Sequence, residues 1–192
     1  QEEDSIRWKL TPVGQFSSTS AYDLFFKSME LCPVVELIWH AKAPSKIRFF
    51  MWLATKGRCL TADNLQKRGW PHSDCCTLCT RESEDCAHLF SKCVYTVRVW
   101  SLLRNWINVP FPIPGRSELG LTEWWMQARL RFRHCYRDNF DSVCMLVCWT
   151  VWKERNARVF DQRSRIPEQL AEAIKEEVLL WKEAGYFETN NS

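Results

Sequence analysis

The chain is poor in the residues that build tight turns. Among its 192 residues there are six glycines and eight prolines. Sandwiches and barrels built from many short strands depend on such turn residues. The composition therefore argues against those folds, and the periodicities described below predict an all-α domain.

Signals for membrane insertion or secretion are also missing. No apolar run reaches the roughly 18 residues that a spanning helix needs, because Lys153 and Glu154 interrupt the longest candidate, residues 143–152. The first four residues (QEED) are acidic and precede no hydrophobic segment, so no signal peptide is predicted. We expect no membrane partner and an intracellular protein, nuclear or cytoplasmic. The absent initiator methionine suggests a piece cut from a longer chain.

The sequence contains no local signature of catalysis. There is no G-x-S-x-G, no phosphate-binding loop and no dinucleotide fingerprint. No pattern joins the histidines to a cysteine nucleophile. His40 is interpreted as a cap or core residue, His134 as a surface residue, and His72 as a reserve metal ligand. We therefore expect that the chain is not an enzyme.

Four residues in the middle of the chain have the spacing of metal ligands. Cys76, Cys79, His88 and Cys93 form the pattern C-x2-C-x8-H-x4-C. Three thiolates and one imidazole fill all four positions of tetrahedral zinc and leave none for water or substrate. The pattern predicts one structural Zn²⁺. The alternative is a cluster of buried thiols beside a chance histidine.

The remaining cysteines leave some choice open. Cys75 and Cys86 lie inside the motif and could replace Cys76 or compete for the ion, although C-x2-C makes the tighter turn. The others lie in apolar stretches and are interpreted as small buried side chains. Eleven tryptophans and eleven phenylalanines supply a core without disulfides. A reducing compartment, cytosol or nucleus, is expected.

Positive charge is concentrated in two segments, residues 42–68 and 129–137, although the net charge of the chain is only +3. Both segments are interleaved with aromatic residues such as Phe49, Trp52 and Tyr136. This pattern predicts binding of RNA or single-stranded DNA, with cations on phosphates and rings on unpaired bases; the alternative is a solvated face over a buried aromatic core. The candidate phosphate-binding residues are Lys42, Lys46, Arg48, Lys56, Arg58, Lys67, Arg68, Arg129, Arg131 and Arg133.

Periodicity and breakers predict the organisation of the chain. Residues 5–17 read as a short N-terminal β-hairpin that turns at 12–14. Helices are predicted at 21–29, 34–41, 46–56, 62–68, 94–108, 123–135, 138–160 and 167–184. A polar zinc-knuckle loop is predicted at 71–81, followed by a helical turn at 86–90 that presents His88. The predicted fold is thus a helical domain with a small zinc knuckle and a hairpin. Its parts are residues 1–108, a proline-rich linker or crossing at 109–120, and C-terminal helices at 121–192 that pack on the first part.

Several motifs, in this order, resemble one known family. They are residues 4–12 (DSIRWKLTP) with Gly14-x-Phe16, residues 20–22 (SAY), Ile38-Trp39, residues 43–53 (APSKIRFFMWL), 60–65 (LTADNL), the zinc motif with Glu84, Val99-Trp100, and 148–160 (CWTVWKERNARVF). Those up to Val99-Trp100 are similar to the zinc-binding domain that follows the reverse transcriptase in plant LINE-type (non-LTR) retrotransposons. Residues 148–160 are similar to the segment that these elements carry after this domain.

The resemblance implies that Cys76, Cys79, His88 and Cys93 bind zinc. It also implies that the chain is a stand-alone or domesticated fragment of such an element. The paired aspartates of a polymerase and the carboxylates of an endonuclease or ribonuclease H are missing from this chain. The expected function is a non-catalytic, zinc-stabilised module that binds nucleic acid. The alternative is a protein-interaction module that docks a host partner, with Trp124 and Trp125 exposed as hot spots.

Overall fold

A computed structural model of the protein describes residues 7–9, 11, 14–15, 17, 33–115 and 119–187. The chain divides into two compact units, Gln1–Glu36 and Leu37–Ser192.

The N-terminal unit contains a tight turn. The Gly14 N–H donates to the Thr11 carbonyl at 3.0 Å, and the Trp8 N–H donates to the Gly14 carbonyl at 2.8 Å. The Thr11 hydroxyl adds a bond to the Gln15 carbonyl at 2.7 Å. None of the described residues of this unit forms a strand, so the predicted β-hairpin is not supported. The helix predicted at 21–29 lies outside the described residues.

Every regular element in the described part of the chain is helical, which confirms the all-α prediction. A π-helical turn covers His88–Lys92, and a 3-10 turn covers His134–Tyr136. No described helix has the length and apolar character that crossing a membrane requires. The α-helices are α1 (Pro33–His40), α2 (Ser45–Thr55), α3 (Ala62–Gln66), α4 (Val94–Ile107), α5 (Leu121–Arg129), α6 (Arg137–Phe160) and α7 (Pro167–Glu183).

Helix α6 is the centre of the second unit. Most of its middle, residues 140–151, is buried, and it packs against α2, α5 and α7, while α4 packs on α7. An apolar stripe explains the α2 contact: Ile47, Phe50, Met51 and Ala54 recur at helical spacing and are buried. The C-terminal helices thus share one core with α2 and α4.

The proline-rich segment also enters this core. Phe111 is 1% exposed, and its ring centroid lies 6.1 Å from that of Trp100 and 5.4 Å from that of Phe140. Ile113 is buried as well. Residues 109–115, part of the segment predicted as a linker or a crossing, therefore contribute Phe111 and Ile113 to the interior.

The prediction that Trp124 and Trp125 are exposed is wrong. Both side chains are buried, and each indole N–H has a partner: the Pro112 carbonyl for Trp124 and the Asp141 carboxylate for Trp125, both at 2.7 Å. The two rings contribute to the core because α5 turns this face toward α6. They cannot serve as hot spots for a partner.

A buried ion pair ties the middle of the chain to α6. The Glu84 carboxylate, fully buried, accepts Nε and Nη2 of Arg155 at 3.0 and 2.7 Å. The same Oε1 atom accepts the Ala62 N–H at 3.0 Å, and the Asp63 N–H donates to the Glu84 carbonyl at 3.2 Å. One glutamate thus holds the start of α3 against α6.

Replacing Arg155 by Ala should destabilise the fold strongly. The change leaves the Glu84 carboxylate buried without its counter-ion, which costs about 3–5 kcal/mol. The free energy of unfolding in urea measures this cost. The control is Arg98→Ala, which removes the exposed pair with Glu168 and should cost no more than about 1 kcal/mol. Equal losses for the two variants would contradict the role given to the buried pair.

Candidate metal centre

The four residues of the zinc pattern converge in the structure. Their donor atoms all lie within 4.8 Å of one another. The sulfurs of Cys76 and Cys93 are 3.9 Å apart, and the Cys79 sulfur is 3.4 Å from Nε2 of His88. A tetrahedron with Zn–S bonds of 2.3 Å has sulfurs about 3.8 Å apart. The donor set and its spacing therefore fit one zinc ion.

A tight turn presents the first two ligands. The Thr80 N–H donates to the Cys76 carbonyl at 2.7 Å, and the Cys76 N–H donates to the Glu82 carbonyl at 2.7 Å. Thr80 closes the turn with a φ of 55°, a left-handed conformation that is rare for a β-branched residue. The Cys79 N–H also points at the Cys76 sulfur. The two thiols therefore face the same point.

The second two ligands depend on the π-helical turn. In an α-helix, five positions correspond to about 140° around the axis, so His88 and Cys93 would face different sides. Here the Cys93 N–H donates to the His88 carbonyl at 2.7 Å, the five-residue bond of a π-helix. The wider turn brings both side chains to the same side. Asp85 fixes its start by accepting the His88 N–H at 2.6 Å.

Cys93 occupies the N-terminus of α4, directly before Val94. A hydrogen bond from the Cys76 thiol lowers the pKa of Cys93, and bonds from the Thr96 and Tyr95 N–H groups lower it further, against burial. The reciprocal bond and burial raise the pKa of Cys76 to about 12. The Cys76 thiol, with the first N–H groups of α4, thus favours the thiolate form of Cys93 over that of Cys76.

His88 is held by a carboxylate outside the ligand set. Its Nδ1 lies 3.3 Å from Oε2 of Glu82, while Nε2 faces the sulfurs. The hydrogen bond with Cys76 raises the pKa of His88 to about 9, assisted by Cys79 and opposed by burial. A carboxylate on the far nitrogen orients a metal-bound imidazole and strengthens its basicity. The spacing of the ligands does not predict a role for Glu82. The sequence feature that could have indicated this role is its position just after the C-x2-C turn.

The structure separates the competing ligands from this cluster. Cys75 and His72 are exposed, and the His72 ring bonds the Trp70 carbonyl at 3.0 Å. Cys86 is buried but contacts the Thr61 hydroxyl, at 3.9 Å. Within the described ranges, no second group of this kind comes together.

The ten predicted phosphate-binding residues occupy different settings. The Arg129 guanidinium is only 14% exposed and bonds the buried Asp141 carboxylate at 2.9 Å, so it is committed to the core. Arg48 is half-buried and donates to the Trp39 carbonyl. Lys67 is exposed and pairs with Asp63. The other seven are also exposed: Lys42, Lys46, Lys56, Arg58, Arg68, Arg131 and Arg133.

Comparison with known proteins agrees with the metal cluster. Residues 16–100 match the family described as zinc-binding in reverse transcriptase. Over 171 residues the chain is 22% identical to a putative ribonuclease H protein of Arabidopsis thaliana. No solved structure matches the chain. The predicted resemblance is confirmed at the level of the zinc-binding domain of reverse transcriptases.

The match to the Arabidopsis protein covers most of this chain but a small part of that protein. It covers 84% of this chain but 26% of that protein. The chain thus spans about a quarter of the relative's length. Three cysteines and one histidine that converge within residues 16–100 give the zinc-binding description a physical site.

Cys79→Ser should remove most of the bound zinc. A hydroxyl is a poor substitute for a thiolate on this ion, and loss of a structural ion unfolds the segment it closes. The measurement is zinc per chain by elemental analysis, with the thermal midpoint of unfolding. Cys75→Ser is the matched control, because it changes an exposed neighbouring cysteine. Full zinc content in Cys79→Ser, or equal loss in both variants, would exclude this ligand set.

Glu82→Ala should weaken zinc binding without abolishing it. Loss of a carboxylate that orients a ligating histidine typically lowers metal affinity about 10- to 100-fold. Competition with a chromogenic chelator measures the dissociation constant. Asp74→Ala, an exposed acid of the same segment, serves as the control and should change it little. If both variants bind zinc as tightly as the wild type, Glu82 does not position His88.

Proposed function

We propose that this chain, whose residues 16–100 match the zinc-binding domain of reverse transcriptases, is a non-catalytic module that binds nucleic acid. Zinc would be held by Cys76, Cys79, His88 and Cys93 and would only stabilise the fold, since the four donors complete its coordination. The observation that carries the proposal is a corner of four exposed cations that the metal segment holds in place.

The basic corner consists of Lys56, Arg58, Lys67 and Arg68, at the ends of α2 and α3. Asn64 joins the two ends: its amide nitrogen donates to the Gly57 carbonyl at 2.7 Å, and its amide oxygen accepts Nζ of Lys67 at 3.3 Å. All four cations are exposed. A compact group of positive charge of this kind suits a phosphate backbone.

The metal segment reaches the basic corner through α3. Glu84, between the second and third ligands, accepts the first N–H of α3 and pairs with Arg155 on α6. Closing the metal site orders the segment that carries Glu84 and so fixes the start of α3. Asp63 is the only acid from residue 42 to residue 73. It pairs with Lys67 at 2.8 Å, so it balances one of the four cations and the corner remains positive.

The comparisons give this proposal its context. The Arabidopsis relative is named a putative ribonuclease H protein, which fits a nucleic-acid setting, and that name describes the other protein. The proposal includes descent of the chain from a LINE-type element of plants. It also includes a location in the nucleus or the cytoplasm. In such an element the module would hold RNA or single-stranded DNA near the polymerase. A domesticated copy would retain the same surface unless a host protein now covers it.

The zinc-loaded chain should bind RNA or single-stranded DNA with an affinity that falls as salt rises. Each Lys or Arg side chain that binds a phosphate releases counter-ions from the nucleic acid. Removing one such side chain should therefore reduce the magnitude of the slope of log affinity against log salt by about 0.7. Arg58→Gln with Arg68→Gln should therefore lower both affinity and slope in fluorescence anisotropy titrations.

Arg163→Gln is the control, because this cation is exposed but bonded to Asp161 and lies outside the basic corner. It should leave affinity and slope near the wild-type values. Absence of binding at low salt, or binding that salt does not weaken, would refute the proposed function. Stoichiometric recovery of a nuclease-resistant protein partner together with that absence would favour the protein-interaction alternative.

A further inference from the structure

The outward side of α2 carries two aromatic rings that the core does not enclose. Phe49 is 54% exposed and Trp52 is half-buried. The helical repeat places both opposite the buried stripe that contains Ile47 and Met51. Their centroids are 5.9 Å apart with planes 29° from parallel. Two adjacent rings in this orientation can each stack on one flat group of a ligand that carries two such groups in succession.

Positive charge surrounds these rings. Lys46 lies one turn before Phe49, and Lys56 lies one turn after Trp52, on the same side of the helix. Helix α2 contains no acidic residue at all. The two rings therefore lie between two lysines, and no residue of α2 carries a carboxylate.

We propose that Phe49 and Trp52 form a stacking platform for two unpaired bases, with the phosphates held by Lys46 and Lys56. The ligand class is a single strand of RNA or DNA, because the bases of a duplex have their faces covered by their neighbours. Stacking on aromatic side chains tolerates any base sequence. This inference rests on the proposed function and adds that the module reads unpaired strands.

The charge of the surface favours this occupant over an apolar protein segment. Two lysines beside two rings suit a polyanion whose bases are flat and apolar on their faces. An apolar helix docked on the same rings would bury Lys46 and Lys56 without a counter-charge from α2, which is costly.

The test compares a strand that has bases with one that has none. The zinc-loaded chain is titrated, by anisotropy, into labelled oligouridine and into an abasic strand of the same length. The double variant Phe49→Ala/Trp52→Ala should lose about 5-fold or more in affinity for oligouridine and should bind the abasic strand as the wild type does. Phe160→Ala, which removes a ring that is 73% exposed at the end of α6, should change neither affinity.

A second variant separates stacking from folding. Phe49→Tyr/Trp52→Phe keeps both rings and should retain most of the oligouridine affinity. Equal losses on the two strands, or no loss on oligouridine, would overturn the stacking platform while leaving the proposed function in place. Failure of the wild type to bind either strand would overturn both.

Discussion

Closure of the chain around three sulfurs and one imidazole is the constraint on which the rest of the second unit depends. Residues 76–93 contain little regular structure apart from the π-helical turn. Their backbone bonds serve to aim the ligands: the left-handed Thr80 closes the first turn, and the five-residue bond from Cys93 to His88 closes the second. A short, polar segment gains a fixed conformation because four donors must meet at one point.

The fixed segment in turn positions elements far from it in sequence. Glu84 lies between the ligands, and its carboxylate bonds α3 through Ala62 and α6 through Arg155. Cys93 begins α4, whose Trp100 meets Phe111 and Trp124 in the core. Metal closure is thereby linked to the proposed binding surface, since Lys67 and Arg68 of the basic corner directly follow α3 and α6 packs against the buried face of α2.

Local patterns in the sequence predict much of this arrangement. Ligand spacing predicts the four donors, including Cys76 rather than Cys75, because a C-x2-C pair shares one tight turn. Helical periodicity locates α2, α4, α6 and α7 to within about two residues. The partners across the fold cannot be predicted in this way: nothing local pairs Glu84 with Arg155, or commits Arg129 to Asp141. Local patterns likewise do not reveal the burial of Trp124 and Trp125, because it depends on distant partners: Trp100 and Pro112 for Trp124, and Asp141 for Trp125.

Zinc K-edge X-ray absorption of the purified chain tests the central claim most directly. The account predicts one zinc per chain with three sulfur neighbours at about 2.3 Å and one nitrogen neighbour at about 2.0–2.1 Å. Oxygen neighbours from water, fewer than three sulfurs, or a chain that folds fully without any metal would contradict it.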